Sequence, residues 1–207
     1  MDKVFEAGKM LKALDFLYEK ALTGVAGFDR AEDLANNYLR KHSDKIKAAN
    51  SLVNNQVKKC AASGFLTSFG GLITLPVTLP INITSVLYVQ IRMIAAIACM
   101  GGFDINDDQV KTYVYMVLAG QSIADTLKDV GIKITTKSAG KVLKNIPGAI
   151  LIKINKQIGY RLITKAGDTG IINLTKFVPV LGGVVSGAFD GTTTKLIGNR
   201  AIKTFLE

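Results

Sequence analysis

The sequence predicts an all-α fold: a single compact helical domain with a buried apolar hairpin and a glycine-rich central helix. Three observations support this prediction. Apolar residues near the N-terminus recur at the spacing of one helix face. The longer apolar segments are bounded by proline or glycine, residues that end helices. No stretch alternates between apolar and polar residues for long enough to require a strand.

The length of the chain favours one domain. Its 207 residues can enclose one core, and no linker is long enough to separate two. We expect residues 1–44 to form N-terminal amphipathic helices that join residues 45–207 in one globular unit. A mean hydropathy of +0.28 with 20% charged residues indicates that much apolar surface is hidden.

Three amphipathic helices are predicted before residue 64. The first extends to Leu22 and stops at Gly24, which stands at a C-cap position. Asp29 is the expected cap of a second helix through Leu39. Ser43 is the expected cap of a third helix, which continues toward residue 64.

The next segment is uncharged between Lys59 and Arg92. Pro76 and Pro80 divide it, because proline removes a backbone donor and biases the preceding residue away from the helical region. A helix is predicted from Pro80 to the Gly101-Gly102 pair. It is apolar nearly all round, which indicates burial.

The remaining elements are also predicted to be helical. Asn106 is the expected cap of a helix that runs to residue 131, with acids placed favourably in its first turn. Two basic helices follow and are separated at Pro147. Pro179 opens a glycine-rich helix, after which an amphipathic segment closes the chain.

A simple transmembrane helix is disfavoured. A bilayer core requires about 20 apolar residues in one helix. Residues 81–103 reach that length only with Arg92 near the middle, at a cost of about 3 kcal/mol. Burial in the protein's own core requires a partner for Arg92, and we hypothesise an ion pair with Asp190, which lies in the glycine-rich helix.

Small residues in the glycine-rich helix allow close packing. Gly183, Gly187 and Gly191 form a GxxxGxxxG pattern, which lets helix backbones approach one another. The pattern suits a short helix in a soluble core. It also suits reversible insertion into a bilayer, a role that the hairpin at Pro76 and Pro80 shares.

Positive charge is concentrated in residues 130–167. This segment contains no acid and carries eight basic residues of a chain whose net charge is +10. We expect these residues to bind lipid: Lys133, Lys137, Lys141, Lys144, Lys153, Lys156, Arg161 and Lys165. The charge favours an anionic partner. Few aromatic residues and no arginine cluster accompany it, so an anionic membrane surface is favoured and no nucleic acid is expected.

Sequence motifs for catalysis are absent. His42 is the single histidine, and Cys60 and Cys99 are too far apart for a metal knuckle, so two buried thiols are expected. Asp107 and Asp108 lie at a helix start, where capping accounts for them. We therefore expect no enzyme activity, no cofactor, no metal and no catalytic residue.

Two longer runs carry a resemblance to a known family. They read GGLITLPVTLPINITSVLYVQIRMIAAIACMGGFD and IPGAILIKINKQIGYRLITKAGDTGIINLTKFVPVLGGVVSGAFDGTTTKLIGNRAIKTF. The chain resembles the bacterial EcsC family over roughly residues 45–206, with the paired prolines, the arginine-methionine, the basic segment and the closing glycine helix in the same order. The resemblance implies a bacterial helical protein at or near the inner membrane. It implies no reaction, cofactor or site residue.

These observations lead to one expected function and two alternatives. We expect a non-enzymatic, membrane-associated protein that docks on anionic lipid through its basic face. The alternatives are a soluble regulatory module that binds an acidic protein partner and a carrier of a hydrophobic ligand. The N-terminus lacks a signal-peptide core, so we expect a cytoplasmic protein, peripheral at the inner membrane. A homo-oligomer is compatible with the sequence.

Overall fold

Seven helices make up the described part of the chain. The computed structural model describes residues 3–61, 81–120, 128, 146–164 and 182–207. The helices are α1 (Lys3–Thr23), α2 (Ala31–Leu39), α3 (Lys45–Ala61), α4 (Ile81–Met100), α5 (Asp108–Leu118), α6 (Gly148–Thr164) and α7 (Gly182–Phe205). No strand occurs among these residues, although Val25 and Phe28 form an isolated bridge. The all-α prediction is confirmed.

Glycines end two of the helices where the sequence predicts it. Gly24 follows α1 with a φ of +82°, and its N–H donates to the carbonyl of Lys20. After α4, Gly102 has a φ of +83° and donates to the carbonyl of Cys99, while Phe103 donates to that of Ala98. This pair of bonds is a Schellman motif, which requires a left-handed residue that glycine supplies.

The observed helix starts differ from the N-terminal caps that the sequence predicts. Asp44, and not Ser43, caps α3, because its Oδ1 accepts from the N–H of Lys47 at 2.8 Å. The α2 cap position is Arg30 and that of α5 is Asp107, and neither makes a side-chain cap bond. The residues predicted there, Asp29 and Asn106, each stand one position earlier.

Helix α5 is shorter than predicted. It ends at Leu118, and Gly120 follows with a φ of +70°. A left-handed residue at this point interrupts the helical backbone that the sequence pattern extends to residue 131. Most of that extension lies outside the described residues.

The described helices form a ring around α4. Helix α4 packs against α1, α2, α3, α5 and α7. Neighbouring members of the ring also contact one another, in the order α1, α2, α3, α7, α5, α6 and back to α1. Helix α6 completes the ring by packing on α1 and α5. Every residue from 88 to 98 is buried, which confirms that the apolar helix is a core element.

Helices α3 and α7 are antiparallel and pack closely. A Cβ added at Gly191 would lie 3.6 Å from atoms of Val57, whereas one added at Gly198 would lie 2.6 Å from both Cγ atoms of Val53. The first distance is ordinary contact and the second is a clash. Gly198, which lies outside the predicted GxxxGxxxG pattern, is therefore the glycine that this interface requires.

We expect opposite effects from alanine at these two glycines. Gly198→Ala forces Cβ onto the stiff, β-branched Val53, and overpacking of this kind costs about 1–3 kcal/mol. Gly191→Ala fits and gains up to about 1 kcal/mol of helix propensity. Denaturant unfolding of both variants measures the difference. Equal stability of the two variants would contradict the close contact at Gly198.

Candidate functional site

Helix α6 supplies most of the described part of the predicted basic segment. It begins after Pro147, whose carbonyl accepts from the N–H groups of Ile150 and Leu151. Proline has the preset φ that suits a helix start, so the predicted start of the second basic helix at Pro147 is confirmed, whereas the first basic helix lies outside the described residues. Leu151, Ile154 and Ile158 are buried and form the inward side of α6.

The outward side of α6 combines positive charge with exposed apolar surface. Ala149, Ile152, Lys153 and Lys156 are all exposed, and their spacing places them on one side of the helix. We call these four residues the α6 face. Ile152 is 59% exposed, a large fraction for an isoleucine. No acid occurs anywhere in α6, so the two lysines have no counter-charge on their own helix.

The structure places some of the predicted lipid-binding residues and leaves the others undescribed. Lys153 and Lys156 are exposed on the α6 face. Arg161 belongs to the last turn of α6, but its side chain is not described. Lys133, Lys137, Lys141, Lys144 and Lys165 lie outside the described residues. The sequence analysis did not single out Ile152. Ile152 directly follows Leu151, and adjacent residues do not share one face of a helix, so the sequence held a signal that one of the two faces outward.

The predicted insertion elements are described only in part. Pro76 and Pro80 lie outside the described residues. Gly183 and Gly187 belong to the first turns of α7, where side-chain surroundings are not described, and Gly191 packs on α3. Among the described helices, none has both the length and the hydropathy to cross a bilayer.

Arg92 occupies a polar site inside the apolar core. Its side chain is only 2% exposed. Nη1 donates to the backbone carbonyl of Asp29 at 3.2 Å, and Nη2 donates to Oε1 of Gln56 at 3.3 Å. The rings of Phe28 and Tyr88 lie 5.0 and 5.6 Å from the guanidinium carbon. Arg92 thereby connects α4 to α3 and to the loop before α2.

The charge of Arg92 is stabilised by dipoles and aromatic rings. Within the described residues no carboxylate lies at ion-pair distance from it. Burial lowers the pKa of Arg92, and the positive charge of Arg92 adds to burial in lowering the pKa of Lys59. The side chain of Asp190 is not described, so its ion pair with Arg92 stays a prediction.

A second polar group joins α1 to α5. Tyr115 donates its hydroxyl to Oδ1 of Asp15 at 2.9 Å, and its ring meets that of Tyr18 edge-on at 5.9 Å. Nζ of Lys111 lies 3.7 Å from Asp15 and 3.1 Å from Asp108. These contacts pair the acidic side chains with a lysine and a tyrosine, an arrangement that fits a structural contact between two helices.

Burial changes the titration of several side chains. It raises the pKa of Tyr18, Tyr113 and Tyr115, and the nearby carboxylate of Asp15 raises that of Tyr115 further. Burial also raises the pKa of the Cys99 thiol from 9.0 to about 11. Cys60 is fully buried, as expected, whereas Cys99 is only partly buried, and neither cysteine forms a disulfide bond. The described residues include no group of side chains suited to hold a metal ion.

Together these features define a class: an all-α protein with a ring of helices around a central apolar helix and an acid-free basic helix on its surface. The sequence profile of the EcsC protein family matches residues 2–206, and the chain belongs to that family. The match includes α1 and α2, which precede the region of the resemblance seen in the sequence. Comparisons with curated proteins and with solved structures gave no match.

Truncation of Arg92 is expected to be strongly destabilising. Arg92→Ala removes the partner of Gln56 and of the Asp29 carbonyl and leaves a cavity, for an expected loss of about 3–5 kcal/mol. Denaturant melts measure this loss, with Arg40→Ala as an exposed control. Unchanged stability would contradict the structural role of Arg92.

A double-mutant cycle with Asp190→Asn tests the predicted ion pair between Arg92 and Asp190. If the two side chains interact, the stability losses of the single variants are coupled; if they do not interact, the losses are additive.

Stability is expected to fall at alkaline pH. When the pKa of a group is higher in the folded protein than in the unfolded chain, the unfolded chain loses the proton first as pH rises. The group's contribution to the free energy of unfolding is therefore intact below the unfolded-state pKa and is lost as pH rises through the folded-state pKa. The window opens near pH 9 with Cys99 and continues above about pH 10 with the tyrosines. Unfolding free energies measured from pH 7 to 11 test this decline. Cys99→Ala should flatten its first part, and an unchanged slope would exclude Cys99 as its source.

Proposed function

We propose that this protein is a non-enzymatic, membrane-associated protein that docks on anionic lipid through the α6 face. The observation that supports this proposal is the pairing of exposed Ile152 with Lys153 and Lys156 on a helix that has no acid. A basic helix with exposed apolar side chains binds the boundary between lipid headgroups and acyl chains.

The α6 face supplies both kinds of attraction that interfacial binding uses. Each basic residue near an anionic surface contributes about 1 kcal/mol, and salt screens this term. Ile152 adds an apolar contact that salt does not screen, because its side chain leaves water when it enters the interface. Binding should therefore have a large salt-sensitive part and a smaller salt-resistant part.

The rest of the acid-free segment extends this attraction. Lys133, Lys137, Lys141 and Lys144 recur at intervals of four, four and three residues, a spacing that suits one helix face. Arg161 and Lys165 follow in the same uninterrupted run of positive charge. Several weak contacts of this kind add up to stable attachment on an anionic leaflet, and the cytoplasmic leaflet of the inner membrane is the expected site.

Liposome sedimentation tests the proposal. Lys153→Glu with Lys156→Glu should lower partitioning onto vesicles rich in phosphatidylglycerol by at least about 30-fold, which corresponds to about 2 kcal/mol for two lysines. Ile152→Ser should remove the binding that survives high salt. Both changes lie on exposed positions, so circular dichroism should report an unchanged fold.

The matched control carries Arg40→Glu and Lys41→Glu, which change the net charge equally at the exposed end of α2. This control should still bind, because α2 is not a neighbour of α6 in the ring. If both double variants lose the same amount of vesicle binding, the loss is explained by the change in net charge alone. That result would contradict docking through α6. If the wild-type protein does not bind these vesicles at low salt, membrane docking is refuted. The alternative of an acidic protein partner is then favoured.

A further inference from the structure

Helix α3 presents a second acid-free surface. Its 17 residues include four lysines and no acid. Lys47, Asn54 and Lys58 are exposed at a spacing that places them on one side of the helix. The opposite side buries Leu52 and Val53 in the core. This helix is therefore amphipathic, with charge of one sign on its outer side.

Helix α7 continues this surface beside α3. Leu196, Arg200 and Lys203 are exposed on one side of α7, and Leu196 is 54% exposed. Lys195 of α7 donates from Nζ to Oδ1 of Asn54 of α3 at 2.7 Å, which connects the outer sides of the two helices. We call this combined surface the α3–α7 face; its residues are Lys47, Asn54, Lys58, Lys195, Leu196, Arg200 and Lys203.

The α3–α7 face lies across the bundle from the α6 face. In the ring around α4, three steps separate α6 from α3, and α7 is not a neighbour of α6. With helix axes about 8–10 Å apart, two packing layers separate the faces by roughly 20 Å. This separation exceeds the Debye length of about 8 Å at physiological salt, so a flat bilayer on one face does not attract the other.

We propose that the α3–α7 face binds a second anionic bilayer, so that one molecule bridges two membrane surfaces. The inference rests on the proposed function of α6. It is supported by the chemistry that the two faces share, since each has a large aliphatic side chain, Ile152 or Leu196, that is exposed among exposed cations.

Vesicle clustering distinguishes bridging from simple docking. Vesicles of phosphatidylcholine with one third phosphatidylglycerol are mixed with the full chain, and their size is followed by dynamic light scattering while sedimentation reports binding. Wild-type protein should bind and cluster the vesicles at low protein-to-lipid ratio. Arg200→Glu with Lys203→Glu should lower clustering at least tenfold while binding through α6 continues.

Two further variants complete the test. Lys47→Glu with Lys58→Glu changes the same face from α3 and should have the same effect on clustering. The Arg40→Glu, Lys41→Glu variant has the same change in net charge and should cluster vesicles as the wild type does. Lys153→Glu with Lys156→Glu should also abolish clustering, because bridging requires both faces.

Each outcome separates the two proposals. Binding without clustering overturns bridging and leaves docking through α6 intact. Clustering that persists in both α3–α7 variants also overturns the inference, since self-association of bound molecules would then connect the vesicles. Absence of binding overturns the proposed function itself. Clustering that is lost in both α3–α7 variants, with binding through α6 retained, supports the bridge.

Discussion

The structure depends on the complete burial of helix α4. Because residues 88–98 are all enclosed, neighbouring segments must cover this helix on every side, and five of the described helices pack against it. An apolar helix of this kind stabilises the fold by removing its whole circumference from water. It also fixes the order of the five helices that pack on it, since each must present an apolar stripe to α4 and to the adjacent helices, while α6 packs on α1 and α5. The charged residues are consequently placed on the outside of the ring.

Arg92 is the exception to this apolar core, and its surroundings explain how the exception is accommodated. A buried cation must recover the interactions it loses on leaving water. Gln56, the carbonyl of Asp29 and two aromatic rings provide part of that compensation from three different segments. The same contacts connect the loop before α2 to α3 and α4. A polar group in the core thus contributes to the specific arrangement of the helices around it.

Charge is segregated on the outer surface in a way that follows from the ring. Lys111 lies between the carboxylates of Asp15 and Asp108, so basic and acidic side chains are paired between α1 and α5. Helices α6 and α3, in contrast, contain basic residues and no acids, and they stand on opposite sides of α4. The proposals of docking and bridging both derive from this distribution. Membership of the EcsC family is compatible with them and adds no reaction of its own.

The sequence alone determined the features that local interactions control. Glycine at 24 and 102 and proline at 147 predicted helix boundaries correctly, because capping and backbone preferences act within a few residues. All-round apolarity likewise predicted the burial of α4. Tertiary structure alone decided that Gly198 rather than Gly191 meets its neighbour most closely, that Gln56 contacts Arg92, and that α3 and α7 share one basic surface. These contacts join residues far apart in the chain, and their geometry depends on how the helices pack, which no local pattern specifies.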